Sequence, residues 1–105
     1  MSHVLDDLFT TLESRRGADP ASSYSAKLFA GGTPLIARKI GEEAVETSVA
    51  ALTDDNNAVV KESADVLYHL LALWAHLGIA PDNVWAELRR REGTSGIEEK
   101  AGRKT

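Results

Sequence analysis

Apolar residues recur three and four positions apart along most of the chain, the spacing that lines one side of an α-helix. Val4, Leu5, Leu8, Phe9 and Leu12 make the first such segment. A long run from Pro34 to about Leu52 follows, then another from about Asn57 to Leu77 that stops at Gly78. A shorter run from Pro81 to about Arg91 is led in by Ala80 and ended by Gly93. The prolines at 20, 34 and 81 stand where helices begin, so they punctuate rather than break. Asp54-Asp55-Asn56-Asn57 reads as a polar turn joining the two long helices into a hairpin. Gly31-Gly32-Thr33-Pro34 is open to reading as a phosphate-cradling loop, but better ends one helix and starts the next, with Thr33 as N-cap. No stretch alternates in strand fashion. The predicted fold is all-α, a hairpin of two long helices with shorter flanking helices, in a single domain over 1–92 followed by a flexible, glycine-containing tail over 93–105.

The second long helix carries a broad apolar arc. Leu67, Leu70, Leu71, Trp74 and Leu77 fall at about 140°, 80°, 180°, 120° and 60° from Glu62 at roughly 100° per residue. One neighbouring helix does not bury so wide a face, which predicts a homodimer whose hairpins combine into a bundle, with Trp74 as an interface anchor. Trp74 and Trp85 otherwise read as core residues.

At 105 residues the chain suits one domain, and 43% apolar with 27% charged residues is ordinary globular usage. The absence of cysteine excludes disulfides, a thiol nucleophile and a thiolate metal site, and points to the cytoplasm. Twelve basic against sixteen acidic residues, net −4, argue against a general nucleic-acid binder. Neither a membrane-spanning run nor a signal peptide is expected: the longest pure apolar stretch is Leu70 to Ala75, and Asp6 and Asp7 interrupt the start.

The candidate chemistry is acidic. Lys39, Glu42, Glu43 and Glu46 fall within an arc of about 100°, with Leu35 and Val49 projecting from the same side. Glu62 and Asp65, about 60° apart, border the stripe of Val59, Val66, Leu70, Leu73 and Leu77. A hairpin packed through its apolar faces brings both acid pairs to one groove. Gathered like charge beside a core is costly unless a cation neutralises it, and an all-oxygen donor set suits Mg²⁺. The bland alternative is a set of surface glutamates paired with Lys39 or Lys61.

Glu43-x-x-Glu46, a gap of 15 residues and Glu62-x-x-Asp65 resemble the paired acidic motif of the MazG-type all-α nucleoside triphosphate pyrophosphatases. Ser23-Tyr24-Ser25-Ala26-Lys27-Leu28-Phe29, Lys39-Ile40-Gly41-Glu42-Glu43-Ala44-Val45-Glu46, Ala64-Asp65-Val66-Leu67-Tyr68-His69-Leu70-Leu71 and Glu87-Leu88-Arg89-Arg90-Arg91 resemble the phosphoribosyl-ATP pyrophosphatases of histidine biosynthesis, from about Leu5 to Lys100. The resemblance implies hydrolysis of phosphoribosyl-ATP to phosphoribosyl-AMP and pyrophosphate, cut between the α and β phosphates, with Mg²⁺ held by Glu43, Glu46, Glu62 and Asp65. It also implies a dimeric or tetrameric enzyme whose product passes to a cyclohydrolase, fused to this activity in some organisms and expected here as a separate chain if it exists.

Glu42 is the extra acid and a candidate base, not separable here from Glu43. Lys27, Lys39 and Arg89 are candidate phosphate-binding cations, although Arg89-Arg90-Arg91 also suits a solvated helix end. His69, one turn beyond Asp65, reads as a satisfied, partly buried histidine before a metal ligand, since Mg²⁺ has little use for imidazole. Two other functions share these features: hydrolysis of noncanonical nucleoside triphosphates, and a non-catalytic helical interaction module.

Overall fold

The computed structural model describes residues 3–92, so the expected tail over 93–105 lies outside the described residues. Four helices follow in order: α1 (Val4–Ser14), α2 (Tyr24–Leu52), α3 (Asn56–Leu77) and α4 (Pro81–Arg91). Among the described residues there is no strand.

Local chemistry sets the helix ends. The side chains of His3, Ser23 and Asp55 accept from the backbone N–H groups of Leu5, Ala26 and Ala58, satisfying donors that the first turns of α1, α2 and α3 leave open. Gly78, at φ 74°, closes α3 in the left-handed conformation, and Pro81 opens α4. The turn between α2 and α3 is shorter than the expected four-residue one, because Asp55 caps and Asn56 and Asn57 already belong to α3.

The expected junction at Gly31-Gly32-Thr33-Pro34 is present as a break within α2, with one helical piece running into it and the expected long one leaving it. Tyr24 to Gly31 are helical, and Gly32 interrupts the run at φ 73°, ψ −168°, with Pro34 just beyond. A side chain at Gly32 would meet left-handed strain, and a Cβ at Gly31 would overlap the Leu35 side chain. The glycine pair therefore allows a sharp break between two tightly following helical pieces.

The core unites Leu12 of α1, Leu28 and Ile36 on either side of that break, and Leu71, Ala72 and Ala75 of α3. Helix α3 packs on both α1 and α2. Its buried line is His69, Leu71, Ala72 and Ala75, not the expected stripe through Leu70, Leu73 and Leu77. The small Ala72 and Ala75 let neighbours approach closely, while Leu77 stays half exposed. Trp74 packs within the chain, edge-on to Trp85 of α4 at 5.7 Å between ring centres. The exposed large apolar side chains of the hairpin are Tyr24, Val45, Val49 and Leu52 on α2 and Val60, Leu67 and Leu77 on α3. No single helix among the described residues is long and apolar enough to cross a membrane.

Candidate active site and metal centre

The hairpin brings the two acid pairs together. Glu43 and Glu46 lie one turn apart on α2, as do Glu62 and Asp65 on α3. Carboxylate oxygens of Glu43, Glu62 and Asp65 all lie within 4.8 Å of one another. Glu46 does not complete that triangle but stands within hydrogen-bonding reach of Glu62.

Packing three carboxyls beside a core has an electrostatic cost. Contact with Glu46, burial and the neighbouring Glu43 push the Glu62 carboxyl up to about 7. Burial raises Glu43 as well; its contact with Glu62 offsets part of this, and Glu46 and Asp65 add to it. Most telling is Glu62 Oε2, which is shut off from solvent yet has no hydrogen-bond partner. A buried acceptor with no donor is expensive, and a cation supplies what it lacks. The cluster is a hard, all-oxygen donor set, so the residues present fit a divalent ion such as Mg²⁺.

The remaining acid and the candidate cations fall elsewhere. Glu42 is paired on the surface of α2 with Arg38 at 3.4 Å and Lys39 at 3.5 Å. Lys39 is thus tied to the edge of the acid arc through Glu42. Lys27 is exposed and, with Pro20, Ala21, Ser22, Ser23 and Tyr24, lines a depression of about 270 Å³ at the start of α2. Arg89 is exposed on α4, whereas Arg90 and Arg91 both grip Glu87, at 2.6 and 3.2 Å.

One wall of the site was not legible in the spacing of charges. A pocket of about 290 Å³ is lined by Glu43 and Asp65 together with Tyr24, Tyr68 and His69. His69 is buried and has both ring nitrogens engaged: Nδ1 lies 2.7 Å from the carbonyl oxygen of Asp65, and Nε2 lies 2.8 Å from the Tyr24 hydroxyl. The ring is therefore satisfied, as expected for a histidine beside the core. Burial raises the Tyr24 phenol, partly offset by Lys39, so it keeps its proton. Spacing signals only the one-turn step from Asp65 to His69; Tyr24, 45 residues away, stands out only through the segment resemblance around it.

Comparison with known proteins matches the same region. The model of the phosphoribosyl-ATP pyrophosphohydrolase family matches residues 5–92. The chain belongs to this family. Among curated relatives, the phosphoribosyl-ATP pyrophosphatase of Paramagnetospirillum magneticum is 60% identical over 102 residues, covering 97% of this chain and 94% of the relative. That of Rhodospirillum rubrum is 60% identical over 101 residues, covering 96% and 86%, and that of Azospirillum brasilense 57% identical over 102 residues, covering 97% and 92%. The family match takes in the four helices but for Val4, and every acid of the cluster.

Proposed function

We propose that this member of the phosphoribosyl-ATP pyrophosphohydrolase family hydrolyses phosphoribosyl-ATP to phosphoribosyl-AMP and pyrophosphate, the second step of histidine biosynthesis, with Mg²⁺ as cofactor. The observation that carries the reading is the convergence of Glu43, Glu62 and Asp65 around an orphaned Glu62 oxygen, in a chain whose relatives bear that activity in their names. Glu43, Glu62 and Asp65 hold the ion, with Glu46 beside Glu62 as the fourth acid. When bound, Mg²⁺ supplies the positive charge that lets an acidic site accept a triphosphate and stabilises charge developing on phosphoryl oxygens.

In the net reaction, water adds to phosphorus, the α–β anhydride bond breaks, and the proton of the water passes to a carboxylate. Glu42, held by Arg38 and Lys39, is poorly placed to receive it. Glu46, outside the three converging acids but next to them, is the better candidate. Lys27 and Lys39 contribute charge for phosphates, and Arg89 is the cation α4 leaves unengaged by Glu87. The exposed Val45, Val49, Leu52, Val60 and Leu67 support a homodimer through the hairpin, and a cysteine-free chain suits work in the cytoplasm.

The test is incubation with Mg²⁺ and phosphoribosyl-ATP, alongside a panel of nucleoside triphosphates, scoring pyrophosphate against orthophosphate. Pyrophosphate release selective for phosphoribosyl-ATP supports the proposal. Equal or preferential cleavage of other triphosphates, or no turnover at all, overturns it.

A further inference from the structure

The acids account for the metal and the anhydride, but not for the wall of the pocket that opens onto them. That wall is built by Tyr24 at the start of α2 and by His69, which sits one turn beyond Asp65 on α3. A carbonyl oxygen can only accept, so the Asp65 carbonyl holds the ring proton of His69 on Nδ1. In the neutral ring Nε2 is then an acceptor, and the Tyr24 hydroxyl must donate to it. The Tyr24 proton is thereby committed, which leaves its oxygen able only to accept. Phosphate oxygens are acceptors too, so Tyr24 cannot serve them. A hydroxyl of the sugar can use it.

The three aromatic rings lock this arrangement. Tyr24 meets His69 edge-on at 5.7 Å and Tyr68 at 6.1 Å, and Tyr68 meets His69 edge-on at 5.4 Å. Because Tyr24 precedes the Gly32 break and Glu43 follows it, the position of Tyr24 relative to the acids is not set by a continuous helix. It is set by the packing of Ala26 and Leu28 in the core and by the bond to His69 across the hairpin. On the reading that the chain is a phosphoribosyl-ATP pyrophosphohydrolase, we infer that Tyr24 binds a ribose hydroxyl of the substrate in the pocket beside Glu43 and Asp65, and that His69 is a positioning residue that orients Tyr24 for this.

Tyr24→Phe removes the hydroxyl and keeps the ring, while His69→Asn keeps a donor near the Asp65 carbonyl but ends short of Tyr24. Each should raise KM for phosphoribosyl-ATP by about three- to tenfold, the range of one neutral hydrogen bond, with kcat falling by less. The double variant should be no worse than the weaker single one, because both remove the same contact. Calorimetric titration with phosphoribosyl-AMP should show the same loss in binding, whereas titration with Mn²⁺ alone should match the wild type. Wild-type KM and wild-type product affinity in Tyr24→Phe would overturn the inference and leave the functional reading standing. A wild-type protein that does not turn over phosphoribosyl-ATP would sink both.

Discussion

Glu46 of α2 and Glu62 of α3 stand carboxyl to carboxyl across the hairpin, and this contact is the largest reason that Glu62 holds its proton up to a pH of about 7. A carboxyl raised on folding stabilises the protein in its protonated form. That contribution is complete below the unfolded value of 4.5 and is lost as pH rises through about 7. Without metal, the melting temperature should therefore fall between pH 5 and pH 8 by more in the wild type than in Glu62→Gln. Thermal melts in a chelator across that range decide it, and parallel profiles for the two proteins would refute it.

Saturating Mg²⁺ or Mn²⁺ should raise the melting temperature at pH 8 by binding the folded state alone. At a hundred times the dissociation constant the gain is about 2.7 kcal/mol. The rise should shrink in Glu62→Gln and in Asp65→Asn. Equal shifts in all three proteins would put the ion somewhere other than the Glu43–Glu62–Asp65 cluster.

Turnover should fall at least about a hundredfold in Glu46→Gln and Asp65→Asn, the loss typical of removing a group that acts in the transition state. At pH 8 without metal, where Glu62 is ionised, stability should stay level or rise, since each change removes one of several mutually repelling carboxylates. Pyrophosphate release measured beside circular dichroism separates the two effects. Activity near wild type at saturating Mg²⁺ contradicts the assignment, as does a loss that follows unfolding.

Two glycines of α2 should respond in opposite directions to alanine. At Gly32 the left-handed φ of 73° makes a side chain costly, and Gly32→Ala should destabilise by about 1 kcal/mol or more. At Gly41 a Cβ meets nothing within 4 Å inside a helix, so Gly41→Ala should stabilise by up to about 1 kcal/mol. Urea titrations of both variants provide the comparison. Matching shifts would mean that the break at Gly32 carries no strain.

Light scattering at micromolar concentration should give a mass near twice the 11.3 kDa of one chain. Leu67→Glu or Val49→Glu should lower it, since both side chains expose apolar surface on the hairpin. Trp74→Glu should instead destabilise the fold, because Trp74 already packs on the core and Trp85. A fully active protein at the mass of one chain would exclude the dimer.

The helices themselves were legible along the chain, since their signals are local. Apolar spacing marks the two long runs, Gly78 ends α3 at the residue expected, and Pro81 opens α4. The acid pairs were legible for the same reason: a one-turn spacing puts Glu43 with Glu46 and Glu62 with Asp65 on any helix that forms, and a short turn then folds one pair onto the other. What spacing cannot rank is three-dimensional proximity. Glu42, Glu43 and Glu46 look alike in the sequence, yet the rotation of α2 against α3 brings Glu43 into the cluster and leaves Glu42 outside it, paired with Arg38 and Lys39 of its own helix. That rotation follows from which residues pack most closely. Ala72 and Ala75 bury more completely than Leu70, Leu73 and Leu77, which moves the core to the other flank of the acids and Trp74 against Trp85. The bond between Tyr24 and His69 depends on tertiary structure altogether, because it joins residues 45 apart across a helix break that only Gly32 permits.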